Sequence, residues 1–94
     1  MEELFETIRR LVLAGRYVVG QHAVERLEER GILEWQVVDG VERAEVLAAR
    51  PDATPHPAVE VRQLLADGTP IKAVWSHMIS VDAAKLVTVH FFDE

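Results

Sequence analysis

The hydrophobic period of this chain changes once, and the change falls at a proline-rich stretch. Before "ARPDATPHP", residues 49–57, apolar residues recur at three- and four-residue intervals; after it they alternate. The first period is one stripe of a helix and the second is one face of a strand, so the two halves must form different layers. Helices followed by a meander of strands is the α+β pattern. The expected architecture is two or three N-terminal helices packed on a three- to four-stranded antiparallel sheet. A chain of 94 residues that is 49% hydrophobic suits one domain with one core. Residues 1–94 are therefore read as a single domain, helical over 1–44 and sheet over 45–94.

In "EELFETIRRLVLAG" the apolar stripe is Leu4, Phe5, Ile8, Leu11 and Val12, and Gly15 is the expected stop. "RYVVG" reads as an extended link or a brief strand. A second helix opens at Gly20 or Gln21, buries Ala23, Val24 and Leu27, and ends at Gly31, after which Ile32 drops back to the core. "LEWQVVDGVERA" is expected to be a third helix with Trp35, Val38 and Val41 inward. Gly40 weakens it by about 1 kcal/mol relative to alanine.

Beyond the prolines, "AVEVRQLL", "PIKAVWSHMI" and "AAKLVTVHFF" read as strands. Asp67-Gly68 marks a hairpin turn between the first two. The segment Ala44–Ala49 is open between an edge strand and a continuation of the third helix.

Sixteen acidic against ten basic residues give a net charge of −6, which argues against an extensive phosphate-binding surface. The imbalance is evenly spread, at −3 in residues 1–50 and −3 in 51–94. No apolar run approaches the ~20 residues of a membrane span, so no membrane partner is expected. The opening "MEELFETIRR" is acidic and amphipathic, unlike a secretory signal, and a cytoplasmic location is expected. The chain has no cysteine, hence no disulfide or thiolate site.

One feature resists the acidic background. In "VVGQHAVERLEERGI", residues 18–32, His22, Arg26 and Arg30 recur every four residues. That spacing stacks them on one helical ridge, each about 40° round from the last. Local pairing does not account for it. Arg26 has His22 and Arg30 at its four-residue positions and only Glu29 at three, and such pairs contribute only a few tenths of a kcal/mol. His22 falls in the first turn, where free N–H groups favour an anion. The ridge either meets an anion or anchors the helix to strand carbonyls or a carboxylate of its own fold.

The run "YVVGQHAVERLEERGILEWQV", with the later "DG" hairpin and a last strand rich in Val and Thr, resembles the uncharacterised bacterial family called domain of unknown function 4258. That family is similar to small toxins of the RelE and barnase-like group. The resemblance implies a RelE/barnase-like α+β fold, toxin–antitoxin ancestry, RNA binding, and a metal-independent endoribonuclease or a relative that has lost the activity. It carries over His22 and Arg26 as the motif pair and Arg30 as the arginine before Gly-Ile. Two positions depart from the pattern. Leu33 stands where Ser or Thr commonly caps the third helix, and His90 in "VTVHFF" stands where an aromatic hydroxyl is common.

Metal-independent RNA cleavage needs a base for the 2′-hydroxyl, an acid for the leaving oxygen and a cation for the phosphorane charge. His22 and His90 are the candidate base and acid, and Arg26 and Arg30 the candidate phosphate clamp. If Val87, Val89 and Phe91 face the helices, strict alternation points His90 the other way, together with Leu86, Thr88 and Phe92. His77 lies on the face of Ile71, Ala73 and Trp75 and reads as a satisfied core-edge histidine. His56, between prolines, reads as solvated. No metal-ligand spacing, nucleophile elbow or phosphate-cradling glycine loop is present, so no metal or cofactor is expected. Trp35 and Trp75 read as core. The rival reading is a non-enzymatic module that binds a basic protein partner such as an antitoxin, or dimerises through its sheet.

Overall fold

The computed structural model describes residues 3–94. Helix α1 spans Glu3–Leu13 and is followed by strand β1, Tyr17–Val19. Helices α2, Gln21–Arg30, and α3, Glu34–Gly40, come next; one 3-10 turn covers Val41–Arg43 and another, Ile79–Val81, precedes the last strand. Strands β2 (Glu45–Arg50), β3 (Ala58–Leu64), β4 (Pro70–Met78) and β5 (Ala83–Phe91) complete the chain. The α+β class expected from the change of period is what forms.

The sheet is larger and of a different kind from the one expected. It has five strands in the order β1-β5-β4-β3-β2, and β1 runs parallel to β5, so it is mixed and not antiparallel throughout. Two ambiguous segments account for the difference. "RYVVG" supplies a three-residue strand, tied down where Ala84 N–H donates to Arg16 O at 3.0 Å and the Arg16 guanidinium reaches the carbonyls of Val81 and Asp82. From Glu45 onward the segment Ala44–Ala49 belongs to the edge strand β2, not to more helix, while Ala44 closes the first 3-10 turn.

Phe5, Ile8, Leu11 and Val12 of α1 meet Ala23 and Leu27 of α2 over Val59, Val61, Ile71, Ala73, Trp75, Leu86 and Val89 of the sheet. Helix α2 stops at Gly31, whose φ of +66° is a left-handed conformation that glycine takes without penalty. The next N–H, of Ile32, returns to Leu27 O at 3.0 Å and seats Ile32 in the core.

The third helix differs from the expected one. It is shorter, Val37 instead of Val38 is fully buried, and Trp35 is 54% exposed. Leu33 occupies the N-cap without a side-chain cap, as its residue type dictates. Two hydrogen bonds hold α3 at this rotation: Gln36 Oε1 accepts from Ala66 N–H at 2.9 Å, and the buried tie is made by Gln63. This residue is on the buried face of β3 and only 1% exposed. Its Nε2–H donates to Val37 O at 2.8 Å, and its Oε1 accepts from Trp75 Nε1–H at 2.9 Å. Three elements are therefore joined through one buried amide, and every polar atom in the bridge has a partner.

Gly40 belongs to the same contact. A Cβ built there would lie 2.9 Å from Gln63 Nε2 and 3.1 Å from Leu64 O. Helix propensity alone favours Gly40→Ala by about 1 kcal/mol. The close approach reverses the sign: the variant is expected to lose about 1–3 kcal/mol in a urea unfolding experiment. Equal or greater stability would show that α3 and β3 separate at no cost.

The last strand also departs from strict alternation. Register runs Val74↔Thr88 and then Trp75↔Leu86, leaving Val87 as an extra, bulged residue. Ala84 and Leu86 on one side of the bulge, and Val89 on the other, are all fully buried. Leu86 therefore does not share a face with His90. His90 lies in register with Lys72 of β4, whose neighbours Ile71 and Ala73 are the buried ones.

Candidate functional site

The basic ridge lies on α2, which begins where β1 runs out. Gly20 N–H donates to Leu86 O at 2.9 Å, and a Cβ at position 20 would press on Lys85 and on that carbonyl. The chain leaves the sheet at this point and enters the helix, whose tertiary contacts are chiefly with β5. The ridge thus runs from His22, exposed in the first turn, to Arg30 beside the far end of β5.

Its two arginines are held by carboxylates. Arg26 Nη1 pairs with Glu29, the residue three positions on. Arg30 Nη1 donates to the same Glu29 at 3.3 Å, and its Nε donates to Glu94 Oε2 at 2.7 Å, while Nη2 pairs with Oε1. Arg26 Nε is buried without a hydrogen-bond partner among the described residues.

Glu94 is the hub. Besides the Arg30 fork, it accepts from Phe91 N–H at 3.0 Å and lies 3.4 Å from His90 Nδ1. The Arg30 hydrogen bond first, and the Phe91 N–H second, hold its carboxyl at about 2, well below the ordinary 4.5. The same pairing raises the Arg30 guanidinium above its usual range. A depressed carboxylate stabilises the fold above its unfolded value and loses that contribution as pH falls through the folded one. The Arg30–Glu94 pair is therefore intact above about pH 4.5 and is lost only towards about pH 2.

Against Glu94 lies a hollow of about 340 Å³ lined by Lys72, His90, Phe91, Phe92 and Glu94. Lys72 Nζ is 3.8 Å from Glu60. Of the four residues expected at a site, Arg30 and His90 meet on Glu94, and Arg26 joins them through the shared Glu29. His22 stands apart: eight residues of helix separate it from Arg30, about 12 Å of rise. Of the four, only His90 lines the hollow itself; Arg30 reaches its edge through Glu94.

Sequence reasoning missed Glu94 and Lys72. Lys72 had a readable signal, the alternation that sets it opposite the buried Ile71 and Ala73. Glu94 had none, because its arginine partner is 64 positions away. The remaining histidines behave in two ways. His77 bonds Asp82 at 3.1 Å and is a satisfied core-edge residue; His56 is half-buried instead of solvated. Among the described residues, no group of three or more His, Cys, Asp or Glu is placed to hold a metal ion, and no helix is long and apolar enough to cross a membrane.

A second concavity, about 590 Å³, opens between the end of α1, α3 and the β2–β3 end of the sheet. Trp35, Leu13 and Leu64 are each about half exposed there, with Asp39, Glu42, Glu45, Arg43 and Arg62 at its walls. Trp35, expected in the core, forms part of this surface.

These features define a small α+β domain that carries a cationic cluster closed over one of its own carboxylates. The chain belongs to the family described as Domain of unknown function (DUF4258), whose model matches residues 19–91, from the end of β1 to the last residue of β5. A search of curated proteins and of solved structures returned no match.

Proposed function

We propose that this domain binds the phosphate of RNA where the end of α2 meets the end of β5, with Arg30, His90 and Lys72 as the contacting groups and Arg26 behind them. The observation that carries this reading is the coordination of Glu94. An arginine fork, an imidazole and a backbone N–H already converge on one anionic group beside an open hollow. A phosphate presents the same pair of oxygens to an arginine fork. Kinship of the family with RelE and barnase-like toxins, which the sequence resemblance implies, would make RNA the polymer and a metal-independent ribonuclease the ancestral activity. Binding is favoured over cleavage because His22, the proposed base, sits about 12 Å along the helix from Arg30.

Titrating a short single-stranded RNA against the protein at several salt concentrations tests this. Arg30→Ala is expected to weaken binding about tenfold and to flatten the log–log salt slope by about 0.7, one phosphate contact on a single strand. Affinity and slope unchanged by Arg30→Ala would remove the ridge from RNA binding. Cleavage lost in both His22→Ala and His90→Ala would restore the acid–base pair in place of simple binding.

A second reading has its own support in the half-exposed Trp35, Leu13 and Leu64, set among charges of both signs: Asp39, Glu42 and Glu45 with Arg43 and Arg62. Such a groove, on a chain of net charge −6, fits an amphipathic protein segment with a basic excess, the chemistry of an antitoxin partner.

A further inference from the structure

We infer that a second copy of this chain docks on the free edge of β2, antiparallel, about a two-fold axis passing between Leu47 and Ala48. The two edges of the sheet are unequal. At one end β1 is three residues long and leads directly into α2. At the other, β2 presents six residues, "EVLAAR", with neither proline nor lysine to blunt it, and with Val46 and Leu47 38% and 47% exposed.

The strand is complementary to its own reverse. Antiparallel pairing about that axis sets Glu45 opposite Arg50 of the second copy, and Val46 opposite Ala49, each twice. In a regular strand this match would fail, since residues five apart point to opposite faces. The bulge in β2 corrects the parity. Register runs Val46↔Val61 and then Ala48↔Glu60, so Leu47 is the extra residue. Glu45 consequently lies on the same face as Arg50, as their partners show: Glu45 bonds Arg62 at 3.3 Å and Arg50 pairs with Glu60. Val46 and Ala49 share the opposite, helix-covered face, in register with the fully buried Val61 and Val59. A two-fold perpendicular to the sheet keeps both faces aligned, so the acid meets the base and the apolar pair meets the apolar pair. Isologous closure of this kind stops at two copies.

The proposal rests on neither reading of the anion site, and its test uses the whole chain. Sedimentation velocity compares wild type, Arg50→Glu, Glu45→Arg and an equimolar mixture of the two variants, with circular dichroism confirming that each is folded. Wild type is expected to dimerise. Each variant alone sets like charges opposite one another at two symmetric positions, and its dimer is expected to weaken about tenfold. The mixture recovers a one-to-one heterodimer, because each copy then supplies what the other lacks. Leu47→Lys, which leaves the four charges in place, should also weaken the dimer and serves if a charge variant does not fold. A wild-type chain that stays monomeric up to about 1 mM, where even a millimolar Kd would show, overturns the proposal. So does a dimer that ignores these substitutions, or a mixture that fails to associate.

Discussion

Replacing Gln63 with leucine is expected to cost about 2–4 kcal/mol of folding stability, a large share of what a domain this size has to lose. Leucine fills nearly the same space, so the loss does not come from a cavity. It comes from two stranded groups: the Trp75 indole N–H and the Val37 carbonyl, each bonded to the Gln63 amide within 2.9 Å. Neither can turn to water, since Trp75 and Val37 are fully buried. Trp75→Phe removes the donor from the other side, leaves Gln63 Oε1 unpaired and opens space in the core, for a comparable cost. The Trp75–Gln63 bond is broken only once in the double variant. Its loss should therefore fall short of the sum of the singles by about 1 kcal/mol or more. Urea denaturation of the four proteins completes the cycle. Strict additivity, or a Gln63→Leu cost near zero, would mean that the buried amide does not hold α3 against the sheet.

Glu94→Gln is expected to act in the opposite direction on two properties at once. RNA affinity should rise about tenfold, because the anion no longer competes with a resident carboxylate for Arg30 and the polymer meets one less negative charge. Thermal stability should fall, because the amide cannot accept the arginine fork as an anion does. Acidification does not mimic the substitution in the ordinary range, since the carboxyl titrates only near about 2. The paired variant Arg30→Ala should lose RNA affinity without regaining it when combined with Glu94→Gln. Were Glu94→Gln to leave affinity unchanged, the Glu94 cluster would be a structural clasp and not a ligand site.

The parts of the fold that were legible from sequence are those set by local period. The stripe of Phe5, Ile8, Leu11 and Val12 and the alternation of Val59 and Val61 each fix an element and its buried face. What was not legible depends on partners remote in sequence. Nothing near Trp35 says that α3 rotates it outward, because the helix is tied to Gln63, 26 positions beyond Val37, and to Ala66, 30 positions beyond Gln36. Gln63 itself lies on the face of Val59 and Val61, so parity marks its burial, but parity does not say which carbonyl it meets. The five-strand count turned on "RYVVG" and "EVLAAR", each too short for its period to decide. At the candidate site the ridge was readable from its spacing. Its convergence with His90 was not, since that runs through Glu94 and through a bulge that alternation alone does not announce.

The extra residue at Val87 couples the interior to the surface of this molecule. Burial of Leu86 fixes one half of β5 and burial of Val89 fixes the other, and only an odd insertion between them satisfies both. His90 inherits its outward aim from that compromise and not from any demand of its own. Natural selection acting on the interior alone would hold the imidazole in place, so drift at position 90 can exchange the side chain presented there while leaving its direction untouched. The end of β5 is in that sense a mount whose orientation is guaranteed before its fitting is chosen.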